Sequence, residues 1–114
     1  MGRALGEFEQ LILFALVDLG DDAYGAAVGR AIEDRTGRAV SAGAVYTALD
    51  RMEARGLVTS SVGDPTPERG GRRKKYYALE PAGALELHRS VEALKAMSEG
   101  LTDRVRRLAG VRGR

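Results

Sequence analysis

The run Ser41-Ala42-Gly43-Ala44-Val45-Tyr46-Thr47-Ala48-Leu49-Asp50-Arg51-Met52-Glu53-Ala54-Arg55-Gly56-Leu57 is the stretch from which the rest of the chain can be read. Ser41 is placed to cap a helix, because its hydroxyl can accept from an otherwise unpaired N–H of the first turn. Val45, Leu49 and Met52, flanked by Ala48, recur at the spacing of one buried helical face. The opposite side carries Gly43, Tyr46, Thr47, Asp50, Arg51 and Ala54, which are small or polar. A helix from Ser41 to Arg55 therefore has one face for a core and one that another molecule can approach closely. Gly56 stops it, and Leu57 returns to the core.

Two helices are expected upstream. In Gly6 to Leu19, the residues Phe8, Leu11, Ile12, Ala15, Leu16 and Leu19 form one buried face. Leu13, Phe14 and Val17 spread apolar character onto a second face, to be covered either by another protomer or by a later helix of the same chain. Gly20-Asp21-Asp22 reads as a turn with Asp22 as cap. Ala23 to Thr36 follows as a helix closed by Gly37.

Downstream, Leu57 to Val62 and Lys74 to Leu79 are short, β-rich runs that read as paired strands. The segment between them holds two prolines and three glycines, as a hairpin tip does. Arg69, Arg72, Arg73, Lys74 and Lys75 place five positive charges in seven residues at that tip and the strand that leaves it. Pro81 then opens a long last helix. In it Leu87, Val91, Leu94, Ser98, Leu101, Val105 and Leu108 are separated by alternating steps of four and three. That is a heptad seam, the pattern with which a helix pairs with another helix. Gly100 lies within the seam and weakens the helix by about 1 kcal/mol, so a local kink is expected there.

The chain has 114 residues, a net charge of only +2 and no cysteine. Disulfides, cysteine zinc sites and thiol catalysis are thereby excluded, and with His88 as the single histidine no metal site is expected. Walker loops, nucleophile elbows and HExxH are absent, so no enzyme and no cofactor is expected. No apolar run is long enough to span a bilayer and no secretory signal is legible, so a cytoplasmic location without membrane partners is expected. The small net charge does not announce a nucleic-acid partner; the local basic cluster does.

The expected fold is mainly α with a small two-stranded β-wing: a winged helix-turn-helix over residues 1-80, a dimerisation helix over 81-110 packed as one unit with it, and a frayed tail over 111-114. In such a fold the Ser41–Arg55 helix enters the major groove and the basic wing follows phosphates or the minor groove. The chain resembles the PadR family of transcriptional regulators. The resemblance rests on Tyr24-Gly25, Ser41 to Leu49, Met52 to Val58, Gly70 to Leu79 and Pro81-Ala82-Gly83. The joint occurrence of S-x-G-x-x-Y-x-x-L, E-x-x-G-L-V and R-K-K-Y-Y makes it specific. Ala42 and Thr47 stand where the family commonly has proline, and Glu80 where it usually has a hydroxyl residue.

The resemblance implies a homodimer that binds double-stranded DNA, usually as a repressor and in some members released by a small-molecule effector. The DNA-binding residues expected are Tyr24, Ser41, Gly43, Tyr46, Thr47, Arg51, Arg69, Arg72, Arg73, Lys74 and Lys75, with Tyr46 on the DNA backbone. Dimerisation is expected through Leu13, Phe14, Val17 and the seam from Leu87 to Leu108; the seam can also pack onto the chain's own first helix, with one face inward and one across a two-fold. In a dimer built from the first and last helices, an effector pocket is expected between Phe8, Leu11, Phe14, Leu94 and Met97. There is no Asn in the chain, and its one Gln, Gln10, lies in the first helix. The paired adenine contact is therefore closed to the recognition helix, and direct base readout is expected to be modest. The alternative is a winged helix that binds protein instead of DNA, for which an apolar or acidic recognition face and a short wing would be the signature.

Overall fold

The computed structural model describes residues 4–63 and 74–112. Its elements are α1 (Glu7–Leu19), a 3-10 turn (Gly20–Asp22), α2 (Gly25–Thr36), α3 (Ala42–Ala54), β1 (Val58–Val62), β2 (Lys75–Leu79), α4 (Pro81–Ser98) and α5 (Thr102–Leu108). Ile12, Leu13 and Leu16 of α1 meet Val28 and Ile32 of α2 and Val45, Leu49 and Met52 of α3 in one core. Leu57, Val58, Tyr77 and Leu87 close it from the wing and from α4. This is the mainly helical winged arrangement expected from the periodicities.

Local chemistry sets the element ends. The Ser41 hydroxyl accepts the Ala44 backbone N–H at 3.1 Å, starting α3. Gly37 leaves α2 at φ 76°, a left-handed conformation that costs glycine little. Asp22 does not cap α2. It lies in the 3-10 turn, and Tyr24 takes the capping position without a side-chain bond to the helix. The reason lies in the sheet: Tyr24 is held extended by a bridge to Tyr76, and the Tyr77 N–H donates to the Ala23 carbonyl at 2.8 Å. Ala23 and Tyr24 thus line the outer side of β2, while β1 pairs antiparallel on its other side, from Val58 opposite Leu79 to Val62 opposite Lys75.

Three expectations for the helical ends are corrected. Leu13 is fully buried against the protein's own core and does not face outward. The C-terminal segment over 81-110 is two helices, not one, because Gly100 takes φ 76° and breaks it between Ser98 and Thr102. Beyond Val91 no core contact holds the segment to a single axis, so the weak residue decides where it turns. Leu87 packs inward, and Val91 packs against the same core. The proposed seam therefore begins as intramolecular packing and becomes an open face only from Leu94 onward.

The beginning of α4 is part of the core unit. Gly83 lies against the α3–β1 junction so closely that a β-carbon there would overlap the Leu57 carbonyl oxygen. Glu80, which caps α4 without a side-chain bond, donates its N–H to that same oxygen at 3.0 Å. No described helix is long and apolar enough to cross a membrane.

Candidate nucleic-acid interface

The residues of the outer α3 face lie where the helical period places them. Ser41, Gly43, Tyr46, Thr47, Asp50 and Arg51 are all exposed, while Val45, Leu49 and Met52 on the other side are buried. No described residue lies within 4 Å of the position a β-carbon would take on Gly43, so backbone is presented there. Tyr46 is half-exposed and lies across Gly25, the first residue of α2, so tightly that a β-carbon on Gly25 would collide with its ring. The glycine thus lets the tyrosine fold back over the start of α2, with its hydroxyl at that helix end.

A second cluster adjoins it. The Tyr24 and Tyr76 rings meet edge-on, with centroids 5.7 Å apart. The Lys74 ammonium stands 4.0 Å from the centroid of Tyr24, a cation–π distance. The Arg30 guanidinium donates to the Tyr24 hydroxyl at 2.9 Å, and this bond holds the phenol below its ordinary pKa. Two cations and the start of α2, which no side chain caps, therefore share one patch. Uncapped N–H groups at a helix start together with positive side chains are a ready seat for a phosphate.

A third group joins α3 to the wing. Asp50 Oδ1 accepts from the Tyr77 hydroxyl at 3.4 Å and lies 3.9 Å from Lys75 Nζ. Burial, followed by the nearby Asp50 carboxylate, pushes the Tyr77 phenol up to about 12. Asp50 pairs with Lys75 because β2 passes beside the outer edge of α3. Arg55 turns beneath the helix, toward the buried Glu9 carboxylate at 3.9 Å, and Glu9 also accepts the Gly6 N–H at 2.8 Å.

Of the expected DNA-binding residues, Tyr24, Ser41, Gly43, Tyr46, Thr47, Arg51, Lys74 and Lys75 are gathered on the α2 start, the outer side of α3 and the root of the wing. Arg69, Arg72 and Arg73 lie outside the described residues. Sequence reasoning missed Arg30 and Tyr76. Arg30 stands six residues from Tyr24, a spacing with no local rule, whereas the strand period alone separates Tyr76 from Tyr77 onto opposite faces.

Within one chain the residues expected around an effector lie apart. Leu11 and Phe14 line a groove of about 350 Å³ between α1 and α2, with Ala31 and Ile32 opposite and Asp18 and Arg35 among its polar residues. Phe8 borders a different cleft, beside Gly43 and Arg51. Leu94 and Met97 are 65% and 74% exposed, because α4 has by then run past the core. Phe14, Val17, Leu101, Val105 and Leu108 are likewise open. Among the described residues no group of three or more acidic, histidine or cysteine side chains could hold a metal ion.

Comparison with known proteins places this geometry among relatives. The family model described as transcriptional regulator PadR-like matches residues 12–89. A PadR family transcription regulator of Clostridium difficile is similar in structure, with a TM-score of 0.71 and 25% identity, covering 88% of this chain and 99% of that one. A PadR-like transcriptional regulator of Bacillus cereus shares the fold with a TM-score of 0.70 at 20% identity, covering 86% and 90% of the two chains. An uncharacterised 37.1 kDa protein in a transposon of Streptomyces fradiae is 34% identical over 90 residues; the chain spans only 24% of that relative's length.

Proposed function

Because this chain belongs to the PadR-like family of transcriptional regulators, we propose that it is a homodimeric repressor that binds an inverted-repeat operator in double-stranded DNA. The observation that carries the reading is the continuity of one surface. The exposed side of α3 meets, through Tyr46 over Gly25, the Tyr24–Arg30–Lys74 patch at the base of the basic wing. An α-helix fits the major groove, and the open backbone at Gly43 permits close approach to base edges. Thr47 is suited to a thymine methyl and Arg51 to guanine. Tyr24, Tyr46, Arg30 and Lys74 are suited to phosphates. With so few base-reading side chains, DNA shape and phosphate contacts carry the larger share of recognition.

Dimerisation is assigned to the open apolar residues Phe14 and Val17 of α1, Leu94 of α4, Leu101 in the turn before α5, and Val105 and Leu108 of α5. A two-fold between two such faces would set the recognition helices about 34 Å apart, one turn of duplex. Any effector would be aliphatic or small, and would sit where Leu11 and Phe14 of one subunit meet Leu94 and Met97 contributed across the two-fold; a regulator without an effector is equally compatible with this surface. No aromatic side chain stands on α4 or α5 to stack on a planar drug.

Selection of binding sites from a random duplex pool, followed by salt titration of the enriched site, tests the proposal. An inverted repeat with one-turn spacing and a loss of roughly 10³- to 10⁵-fold in affinity between 50 and 200 mM salt is expected for a dimer neutralising several phosphates. Absence of binding at low salt would reject it in favour of a protein-interaction module.

A further inference from the structure

An acidic side chain on a DNA-facing helix is a liability unless something holds it, and Asp50 is held in an unusual way. Its partners Tyr77 and Lys75 reach the same oxygen, and both come from β2. Tyr77 is anchored at its other end: the residue is only 3% exposed, in the core, and its backbone N–H is tied to Ala23. Lys75 lies 5.5 Å from the centroid of the Tyr77 ring as well as beside Asp50. It pairs with Val62, at the last rung of the described hairpin, so whatever fixes Lys75 fixes the root of the wing.

We propose that Asp50 is a positioning residue that clasps the wing to the recognition helix, and that Lys75 serves this clasp and not a DNA phosphate. The inference rests on the DNA-binding reading above and assigns different work to two adjacent lysines. The alternation of an extended chain sends Lys74 and Lys75 to opposite sides. Lys74 goes to Tyr24 and the uncapped start of α2. Lys75 goes to α3, where one negative and one positive charge cancel.

The Asp50–Lys75 pair is exposed, with side chains 62% and 44% accessible, so it adds little to global stability. Its leverage is geometric. α3 and the wing are joined covalently only through the turn at Arg55–Leu57, and a specific operator must be met by both at once. Non-specific phosphate binding has no such requirement.

The test compares parent, Asp50→Asn, Lys75→Gln and the double variant, each as the full chain, on the selected operator and on an unrelated duplex across a salt series. Asparagine can still accept the Tyr77 hydroxyl but cannot pair with the ammonium. Asp50→Asn is expected to lower the operator-to-unrelated affinity ratio about tenfold, the scale of coupling between touching groups. It should also steepen the salt slope on unrelated duplex by about 0.9 per protomer, because Lys75 is released to a phosphate. Lys75→Gln should lower the ratio similarly while leaving that slope as in the parent. The double variant should be no worse than either single one, and all melting temperatures should stay within about 2 °C. A slope flattened by one phosphate in Lys75→Gln, an unchanged ratio in Asp50→Asn, or fully additive losses in the double variant would each overturn the proposal. A parent protein that binds no duplex at all would overturn the DNA-binding reading beneath it, a distinguishable result.

Discussion

Replacing Gly83 with alanine should destabilise this protein, against the ordinary preference of helices for alanine. In an open helix the change gains up to about 1 kcal/mol. Here the new methyl would overlap the Leu57 carbonyl oxygen and stand 2.8 Å from Leu79 Cδ1. Forcing atoms into such a contact costs about 2 kcal/mol, within the range for overpacking. The carbonyl cannot swing aside freely, because it accepts the Glu80 N–H that starts α4; loosening that bond costs about 1 kcal/mol more. The net loss is about 2 kcal/mol, which for a domain of this size lowers the melting temperature by roughly 8 °C. Thermal unfolding followed by circular dichroism, at one fixed protein concentration so that association is held constant, reads it directly. Gly43→Ala is the control, since its β-carbon would meet no described residue within 4 Å, and its melting temperature should hold or rise. A Gly83→Ala protein as stable as its parent would refute the close approach of α4 to the α3–β1 junction.

Other consequences follow from the same geometry. Tyr77 should ionise late: its phenol is pushed from an ordinary 10 to about 12, so the folded state keeps a proton that the unfolded chain has lost. The stability this contributes is full below pH 10 and disappears as pH rises toward 12, and Tyr77→Phe should remove that part of the alkaline limb in a spectroscopic titration. Lys74→Gln should flatten the salt slope of DNA binding by about 0.9 for each phosphate lost, measured on specific and unrelated duplexes alike. Leu94→Glu combined with Val105→Glu should yield a folded monomer by sedimentation, because both side chains are already open to solvent; a dimer that survives would relocate the interface.

The site was only partly legible beforehand, and the boundary falls at a physical place. The outer face of α3 follows from the helical period, since Gly43, Tyr46, Thr47, Asp50 and Arg51 share an arc that excludes Val45 and Leu49. The partners of that face do not follow. Nothing within α3 indicates that Tyr46 covers Gly25 or that Asp50 meets Lys75, for these contacts join residues about 20 to 25 positions apart and depend on how the elements dock. Tyr76 escaped notice for the same reason, since it meets Tyr24 only through the fold, and Arg30 because a spacing of six follows no local rule.

By itself, the sequence determined what depends on neighbours along the chain. It set the order of helices and strands, the Ser41 cap, the glycine exit at Gly37, the basic approach to the wing and the apolar stripe of each helix. Those properties are fixed by backbone preference and by side-chain period over a few residues. Only the tertiary structure decided which surface covers each stripe. It turned Leu13 and Leu87 inward, left Leu94 and Val105 uncovered, and let Gly100 break the last helix where core contact had ceased. A period gives the angle at which a side chain leaves its helix; what lies at that angle is settled when the other helices arrive.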